Sequence, residues 1–457
     1  MFNKKLSKLL CFMMSAIIFT GLTACGGNSD LGNADNSGAD PSQNSQAAVY
    51  TGTVNIKFFS SNPDRTQGLG LLEQLNMDKY SKENPNVKID MEALQDEPYK
   101  QKIQAYMASG DMPDLFSGWS IPAFRAPLVK GNFLAELNQQ DYVGFDFLPG
   151  ALDSFSTDGK LYGLPKNADF YLLYINKKLF DDNGIKIPET LNDLISVSKE
   201  FRAKGIAPCA IGGKDRWPLG YVIQTFMERV TGDPAVTEEV CEQTVQFAKN
   251  SDISKAANYY KQLMDAKFFQ DSFTSADYGT AKNLFVQGQA AMYFTGSWEM
   301  GMATDQNIPE DMRKNIRGIK FPGIEGEKGS SDSLVILFGG GYMVSSNSKV
   351  KEEAIKLMNY IVKPENYAKY AWENGIIMPP NKLDSVLTGK ENDLQKDLVG
   401  ILNGAKTGSG PAYSDRLNPQ FKNDSENLSQ QFSAGMITPD KFLEELDKAA
   451  AKANSAK

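Results

Sequence analysis

Apolar and polar positions alternate along this chain in two different periods, which sets the first expectation about the fold. Short β-rich runs are separated by longer stretches with the spacing of amphipathic helices. The predicted strands span residues 53–59, 86–91, 114–117, 171–175, 290–294 and 334–344. The predicted helices span residues 69–84, 99–109, 191–203 and 349–362. Strands that alternate with helices favour an α/β fold with parallel βαβ units over an all-β sandwich.

The N-terminal segment has a different pattern. Lysines at positions 4, 5 and 8 precede an apolar run over residues 9–19, which is the order of a secretory signal. The run is too short to remain as a membrane span. The segment Leu22-Thr23-Ala24-Cys25 resembles a bacterial lipobox, in which the cysteine is acylated after cleavage. We predict a signal peptide at 1–24 and a lipid-modified Cys25; a chance cysteine beside an ordinary cleavage site is the alternative.

Residues 25–50 contain little that can enter a core. Residues 26–48 are mainly Gly, Asn, Ser, Asp, Gln and Ala, with Leu31 as the one leucine. Such a segment cannot bury enough apolar surface to offset its ordering entropy, so we predict a flexible linker. A long linker behind a lipid favours the surface of a Gram-positive cell over a periplasm, because there the loss of the anchor means the loss of the protein.

The composition excludes several classes of function. The 457 residues contain no histidine, which removes Ser-His-Asp and Cys-His nucleophiles and His-ligated zinc sites. The formal charge is −8, and loss of the signal lysines makes the chain more acidic, so no nucleic-acid partner is expected. The length without the signal exceeds one typical core and suggests two domains. Cys209 and Cys241 either form a disulfide or are buried separately, and sequence leaves both open.

Several motifs in a fixed order carry a resemblance to a known family. They are Leu161-Tyr162-Gly163-Leu164-Pro165, the segments 174–180 and 184–191, the segment 110–115, the segment 290–293 before Gly296-Ser297-Trp298, the glycines 339–341 before Tyr342-Met343-Val344, and Asn374-Gly375 before Pro379-Pro380. In this order the chain resembles the family 1 extracellular solute-binding proteins of ABC importers over nearly its whole mature length. Leu191 departs from the pattern, since many members carry tryptophan there.

The resemblance implies an α/β, two-lobed fold of the type II periplasmic-binding-protein class, with the ligand cleft between lobes joined by hinge strands. The first lobe would comprise residues 51–167 and 337–384, and the second 168–336 and 385–457. The implied protein is a monomeric receptor rather than an enzyme. It needs no cofactor or metal and delivers its ligand to an ABC transporter permease. Because the chain has no Gly-x-x-x-x-Gly-Lys-Ser/Thr segment, ATP hydrolysis is expected in a separate subunit.

The tryptophans indicate the class of ligand. Trp119, Trp217, Trp298 and Trp372 are the only four, and the first three occur among Gly, Ser and Pro residues typical of turns. A flat indole matches the apolar face of a pyranose ring, and sugar hydroxyls need polar partners nearby. Any one of them can instead be a core residue. Trp298 in its family motif, with the adjacent Glu299, is favoured as a ligand contact, and Trp372 as packing.

The resemblance also suggests further ligand contacts. They are Ser61 and Asn62 after the first strand, Gln95 and Asp96 after the second, Asp169 after the Gly-Leu-Pro turn, Gly340 in the glycine run, and Tyr413 and Arg416 in the late segment. Buried polar groups matched to hydroxyls discriminate, because an analogue lacking one leaves its partner unpaired. Arg416 has a surface salt bridge as its alternative, and Asp114 is favoured as a turn residue.

Three functions compete at this stage. The leading one is a lipid-anchored receptor for a mono- or oligosaccharide. The second is a receptor for a polyamine, a phosphodiester or a peptide, and a polyamine would demand a ring of carboxylates around the cleft. The third is a secreted glycoside hydrolase, which uses paired carboxylates and needs no histidine.

Overall fold

The computed structural model describes residues 52–455. The predicted signal peptide, Cys25 and the predicted linker up to residue 50 lie outside these residues. The described residues belong to one compact unit.

The described residues form both strands and helices. The strands are β1 (Val54–Ser60), β2 (Val87–Ala93), β3 (Leu115–Trp119), β4 (Ser156–Thr157), β5 (Lys160–Leu161), β6 (Leu164–Pro165), β7 (Asp169–Asn176), β8 (Ala207–Ala210), β9 (Ala290–Gly296), β10 (Ile316–Ile319), β11 (Ser333–Leu337), β12 (Gly340–Val344) and β13 (Thr407–Ser409). The α-helices are α1 (Gly68–Glu83), α2 (Asp96–Ser109), α3 (Pro122–Lys130), α4 (Lys177–Asn183), α5 (Leu191–Ala203), α6 (Trp217–Thr231), α7 (Val236–Glu242), α8 (Ser251–Asp265), α9 (Tyr278–Val286), α10 (Glu310–Asn315), α11 (Lys351–Val362), α12 (Ala368–Glu373), α13 (Asp393–Asn403), α14 (Pro419–Ser433) and α15 (Pro439–Ser455). The 3-10 helices are Gln139–Phe145, Asp153–Phe155, Phe247–Lys249, Ser297–Ala303, Leu383–Ser385 and Tyr413–Asp415.

Local sequence explains several of these boundaries. At the start of α5, Thr190 Oγ1 accepts a hydrogen bond from the Asp193 N–H at 3.1 Å, and the Asp193 carboxylate accepts one from the Thr190 N–H at 2.9 Å, which is a capping box. Leu191, where the family motif departs, is the first residue of α5 and is buried. Helix α2 ends at Gly110, whose φ of 72° is the left-handed conformation that glycine adopts without strain.

The first sheet has the strand order β2-β1-β3-β12-β6. Strands β1, β2 and β3 are parallel, as predicted, and β12 runs antiparallel to β3 and β6. Parallel neighbours place the carboxyl ends of β1, β2 and β3 at one edge, where open α/β sheets bind ligands.

The second sheet has the order β13-β11-β7-β9-β8, with β10 paired to β7. Its central strand β7 runs antiparallel to β9, β10 and β11, so the expectation of parallel units is wrong for this strand. For β7 and β11 the reason lies in the path of the chain. The chain comes from the first sheet into β7 and returns to the first sheet after β11, so the two strands run in opposite directions. Both strands lie side by side, with Leu337 opposite Asp169.

Three crossings connect the sheets, and the glycine run lies in one of them. The predicted strand 334–344 is in fact two strands, since β11 belongs to the second sheet and β12 to the first. The other crossings lie between β6 and β7 and between β12 and β13. Every other predicted strand and helix is present with ends shifted by a few residues.

Separate hydrophobic cores cover the sheets. One core packs α1, α2 and α11 against the first sheet, and a second packs α5, α6, α8 and α15 against the second sheet. A third core on the other face of the second sheet includes Trp372, which is fully buried as predicted. Cys209 and Cys241 are both buried and are not joined to each other, which decides the open question about this pair.

Candidate functional site

A cavity of about 1090 Å³ is lined by residues of both sheets. Three groups of residues line much of it. The first wall is Ser61, Asn62, Gln95, Asp96 and Trp119; the second wall is Trp217, Tyr278, Trp298 and Glu299; the floor is Lys166, Asn167, Asp169, Gly339 and Gly340. Ten of the twelve predicted ligand contacts therefore face one cavity, and the first wall follows the carboxyl ends of β1, β2 and β3.

The second wall is a packed aromatic group. The ring centroids of Trp217 and Trp298 are 6.1 Å apart, and Trp217 lies 6.0 Å from Tyr278. Tyr171 of β7 meets Trp298 edge to face at 5.3 Å and stacks on Tyr221 at 4.0 Å. Aromatic faces grouped in this way give a rigid apolar surface that matches the face of a sugar ring.

Trp298 is held on several sides. A Cβ placed on Gly296 would lie 1.9 Å from the Trp298 ring, so the indole rests directly on this glycine. The Trp298 Nε1–H donates to Tyr278 Oη at 2.7 Å, and Tyr278 Oη donates in turn to Glu299. Lys282 Nζ lies 2.9 Å from the other oxygen of Glu299. The indole is thus positioned by groups that sequence reasoning did not single out, chiefly Tyr278.

Trp217 joins the two walls. It is the first residue of α6, and the preceding Arg216 has φ 68° and ψ −43°, a strained backbone for a residue with a side chain. The Trp217 Nε1–H donates to Asp96 Oδ2 at 3.3 Å, and Asp96 Oδ1 accepts an ion pair from Lys100 at 2.8 Å. Asp96 follows β2 of the first sheet and Trp217 begins α6, which packs on the second sheet, so this hydrogen bond spans the cavity.

Trp119 is the last residue of β3 and lies opposite Gly340 of β12. Its ring contacts the edges of Tyr99 and Phe124 at centroid distances of 5.5 and 5.1 Å. Lys100 Nζ lies 5.4 Å from the ring centroid. The first wall therefore presents one indole, whereas the second presents two.

The polar part of the first wall depends on Glu73 of α1, which is fully buried. Its carboxylate accepts hydrogen bonds from Ser60 Oγ at 2.6 Å, Asn62 Nδ2 at 2.7 Å and Tyr342 Oη at 2.7 Å, and it pairs with Arg65 at 2.5 Å. Because the amide nitrogen of Asn62 is committed to Glu73, its carbonyl oxygen remains for the cavity. No motif in the sequence marks Glu73.

The floor is a polar link between the crossing from β6 to β7 and the crossing from β11 to β12. Asn167 Nδ2 donates to both oxygens of Asp169 at 2.6 and 2.7 Å, and Asn167 Oδ1 accepts from the Gly340 N–H at 3.2 Å. Burial raises the pKa of the Asp169 carboxyl to about 7, although the hydrogen bonds from Asn167 and the Gly339 N–H act to lower it. A Cβ on Gly340 would meet Asn167 Oδ1 at 2.7 Å and Lys166 Cε at 2.9 Å, so these side chains require the glycine.

Tyr413 and Arg416 do not line this cavity. Tyr413 is buried in the second core, where its hydroxyl is 2.6 Å from Ser429 Oγ. Arg416 lines a separate cavity of about 480 Å³ and pairs with Glu238 at 3.4 Å, which is the salt-bridge alternative. The same late segment does reach the main cavity through Asp415, because successive residues of a 3-10 turn point in different directions. Asp415 accepts from Tyr221 Oη at 3.0 Å and pairs with Lys422 at 2.5 Å.

Asp114 and Trp372 have the structural roles expected of them. Asp114 accepts hydrogen bonds from the Lys57 N–H at 2.8 Å and from Ser348 Oγ at 2.6 Å. The Trp372 Nε1–H donates to Glu391 at 3.2 Å. Within residues 52–455 no group of three His, Cys, Asp or Glu side chains is placed to hold a metal ion.

Comparison with known proteins assigns the fold to a family. The family model of the bacterial extracellular solute-binding proteins matches residues 62–368. The chain belongs to this family. A solute-binding protein of this kind is not an enzyme, which removes the glycoside hydrolase from the competing functions.

Similar proteins agree with the family assignment. An uncharacterised ABC transporter extracellular-binding protein of Pyrococcus horikoshii is 27% identical over 62% of this chain and 63% of its own length. The multiple sugar-binding protein of Streptococcus mutans is 24% identical over 69% of this chain and 73% of its own.

A solved structure supports the same architecture over more of the chain. It comes from a study of xylan utilisation by the thermophilic bacterium Caldanaerobius polysaccharolyticus, and it is 29% identical with a TM-score of 0.79. The match covers 86% of this solute-binding protein and 99% of that chain. The predicted two-lobed α/β fold of the type II class is confirmed. Among residues 52–455, no helix has the length and apolarity needed to cross a membrane.

Proposed function

We propose that this solute-binding protein is a lipid-anchored extracytoplasmic receptor that binds a mono- or oligosaccharide by closing two lobes and delivers it to an ABC transporter permease. A separate subunit hydrolyses ATP. The first lobe comprises residues 51–167 and 337–384, and the second 168–336 and 385–457. Lipid on Cys25 holds the receptor at the membrane.

The observation that carries the proposal is the gathering of Trp119, Trp217 and Trp298 on one cavity. The three are far apart in the sequence, and the fourth tryptophan, Trp372, is in a core. Indole faces from both sides, with amides and carboxylates between them, suit a ligand that has apolar ring faces and hydroxylated edges. The names of similar proteins, which refer to sugars and to xylan utilisation, point the same way.

Contacts from both walls are what make lobe closure depend on the ligand. A ligand shifts an equilibrium only by its difference in affinity for the two states. A sugar ring held by Trp119 on one wall and Trp298 on the other touches both only when the lobes are together. The first wall then selects through polar groups, and the second supplies apolar surface.

The alternative of a polyamine receptor finds little support in the cavity. A polyamine needs carboxylates with free acceptor capacity, and the buried or half-buried carboxylates of the cavity already have protein partners. Asp96 pairs with Lys100, Glu299 with Lys282, and Asp415 with Lys422.

A thermal-shift panel of sugars, polyamines and peptides tests the ligand class. At a hundred times its dissociation constant, a ligand stabilises the fold by about 2.7 kcal/mol. We expect at least one neutral sugar, such as a xylo-oligosaccharide or a chito-oligosaccharide, to raise the melting temperature, and spermidine and tripeptides to leave it unchanged. The proposal would be overturned if a ligand of another class raised the melting temperature and no carbohydrate did.

The anchor is tested separately from the ligand. Cys25→Ala should release or mislocalise the protein while the affinity of the purified receptor is unchanged, because the lipid takes no part in the cavity. A single acyl chain holds a protein only marginally at a membrane, so diacylation fits a receptor that must stay in place. Retention of Cys25→Ala at the membrane would contradict a lipid anchor.

A further inference from the structure

The charged groups of the cavity differ in whether they already have hydrogen-bond or ion-pair partners within the protein. Its buried or half-buried carboxylates have donors from the protein. Asp169 accepts from Asn167, Glu299 from Tyr278 and Lys282, and Asp415 from Tyr221 and Lys422. Carboxylates satisfied in this way leave little that could bind a cationic group of a ligand.

Lys166 on the floor differs from these pairs. Only 6% of its surface is exposed, and its Nζ lies 3.4 Å from Ser61 Oγ and 5.3 Å from the centroid of the Tyr342 ring. Among residues 52–455 it forms no ion pair, whereas Lys100, Lys282 and Lys422 of the same cavity each pair with a carboxylate. Glu73 and Asp169 attract the Lys166 ammonium electrostatically but form no ion pair with it. An ammonium has three donors, and one long contact to a hydroxyl leaves it under-satisfied.

The position of the Lys166 stem places its ammonium at the cavity. Its Cε lies 2.9 Å from where a Cβ of Gly340 would be, so the stem crosses the floor over this glycine. The Nζ reaches Ser61, which itself lines the first wall. Burial lowers the pKa of the Lys166 ammonium, as expected for a cation removed from water without a counter-ion.

We propose that Lys166 is a specificity-determining residue that donates to an acceptor oxygen of the ligand. The inference rests on the proposed function. It adds that the floor of the cavity recognises the ligand through a cationic hydrogen-bond donor that binds a ligand oxygen. A hydroxyl of a neutral sugar and the carboxylate of an acidic sugar offer the same acceptor chemistry. A ligand with a cationic group at this position is disfavoured.

The test compares a lysine of the cavity with one outside it. Lys166→Met removes the ammonium and keeps most of the stem, and Lys199→Met is the control because Lys199 is an exposed residue of α5 that does not line the cavity. Calorimetric titration uses the tightest sugar from the thermal-shift panel. A hydrogen bond to a charged group corresponds to about a ten- to hundredfold loss of affinity for Lys166→Met. Lys199→Met should leave the affinity unchanged, because its side chain lies outside the cavity.

The melting temperature without ligand separates binding from folding. An apolar side chain of similar size in place of a buried ion is often neutral or stabilising, so Lys166→Met should melt at or above the temperature of the unchanged protein. An unchanged affinity, or a loss of affinity matched by a lowered melting temperature, would overturn the proposal. Tighter binding of spermidine than of any sugar to the unchanged protein would overturn it as well.

The sugar panel keeps this inference distinct from the function on which it rests. If no carbohydrate binds the unchanged protein, the proposed function fails first. If a sugar binds equally well to the unchanged protein and to Lys166→Met, only the role of Lys166 fails. A xylo-oligosaccharide with and without a glucuronate branch then distinguishes the two acceptors: an advantage of the acidic sugar that disappears in Lys166→Met assigns a carboxylate, and equal binding assigns a hydroxyl. Either result supports the donor role.

Discussion

The first wall of the cavity is organised by one buried carboxylate, whereas the second wall is organised by aromatic packing. Glu73 gathers Ser60, Asn62 and Arg65, which all lie within one short stretch that begins at the last residue of β1. Trp217, Tyr278 and Trp298 come from α6, α9 and the turn after β9, and they meet only because the second sheet brings these elements together.

This difference assigns different tasks to the walls. A buried charge with several partners is costly to disturb, so the first wall links its ligand contacts to the stability of the fold. The second wall presents side chains at the edge of a core, where one ring can be lost without unfolding the protein. We expect changes in the first wall to lower stability most, and changes in the second wall to lower affinity most.

The largest effect is expected from Glu73→Ala. The change leaves Arg65, Asn62 and Tyr342 without their shared acceptor in a buried place, and breaking a buried charge pair costs about 3–5 kcal/mol of unfolding free energy. Urea denaturation followed by circular dichroism measures it. Glu136→Ala is the control, because Glu136 is about half exposed in its pair with Lys160 and such pairs contribute less than about 1 kcal/mol. Equal losses in the two variants would contradict the role given to Glu73.

The next effect concerns the floor and depends on pH. The Asp169 carboxyl has a pKa of about 7 in the folded protein, against an ordinary value of 3.8. Between these values the folded state keeps a proton that the unfolded state releases, so the contribution of Asp169 to stability falls as pH rises. Asp169→Asn removes this dependence. The free energy of unfolding of the variant relative to the unchanged protein should therefore rise between about pH 4 and pH 8, by at most about 4 kcal/mol.

The test of the Asp169 pKa is how the difference in unfolding free energy between the two proteins changes with pH. Asp169→Asn also alters the hydrogen bonds from Asn167, but that change is the same at every pH and shifts the whole curve. Urea denaturation at a series of pH values gives both quantities. Parallel curves for the two proteins would show that Asp169 keeps an ordinary pKa.

A smaller effect, on affinity, tests the second wall. By analogy with the stacking of bases on aromatic side chains, Trp298→Ala should weaken sugar binding by about 1–3 kcal/mol. Trp372→Ala is the matched control, since this fully buried indole should cost about 3–5 kcal/mol of stability and leave the cavity intact. Calorimetric titration and thermal melting of both variants give the two quantities. If Trp298→Ala binds as tightly as the unchanged protein, the second wall is packing alone.

The smallest effect tests the hydrogen bond across the cavity. Trp217→Phe keeps an aromatic ring but removes the N–H that donates to Asp96, and one hydrogen bond contributes about 0.5–1.5 kcal/mol. We expect the binding free energy for the sugar to fall by this amount. We also expect a larger radius of gyration in small-angle X-ray scattering, because the closed arrangement of the lobes is less favoured.

The control for this bond lies in the first wall. Trp119→Phe should not change the radius, because the ring of Trp119 contacts Tyr99, Phe124 and Lys100 on its own side of the cavity. An unchanged radius in Trp217→Phe would mean that the bond to Asp96 does not hold the lobes together.

Much of the fold was predictable from local pattern. The alternation of β-rich and helical runs located β1, β2, β3, β7 and β9 and the helices α1, α2, α5 and α11, because strands and amphipathic helices repeat their apolar residues with different periods. The direction of β7 was not predictable, since it depends on which sheet the chain enters and leaves. The glycine run was visible, but only the paired strands show that it separates two sheets.

The candidate site divides in the same way. The family resemblance suggested Asn62 and Asp96, and the tryptophan pattern suggested Trp119. All three line the cavity, because the parallel strands of the first sheet end at one edge. Glu73, Lys166 and Tyr278 were missed, because nothing in their local sequence indicates what they contact. Tyr413 was misplaced, because in a 3-10 turn a shift of two residues separates the cavity from the core.

By itself the sequence determined the class of the fold, the family to which its motifs belong, the absence of histidine chemistry and the tryptophans that offer flat surfaces. These follow from composition and from short-range spacing, which a chain carries whether or not it is folded. Only the tertiary structure decided which charges are already paired, which indoles meet, and that Lys166 is buried without an ion pair among the described residues. Those properties are relations between distant residues, and they exist only once the chain has folded around the cavity.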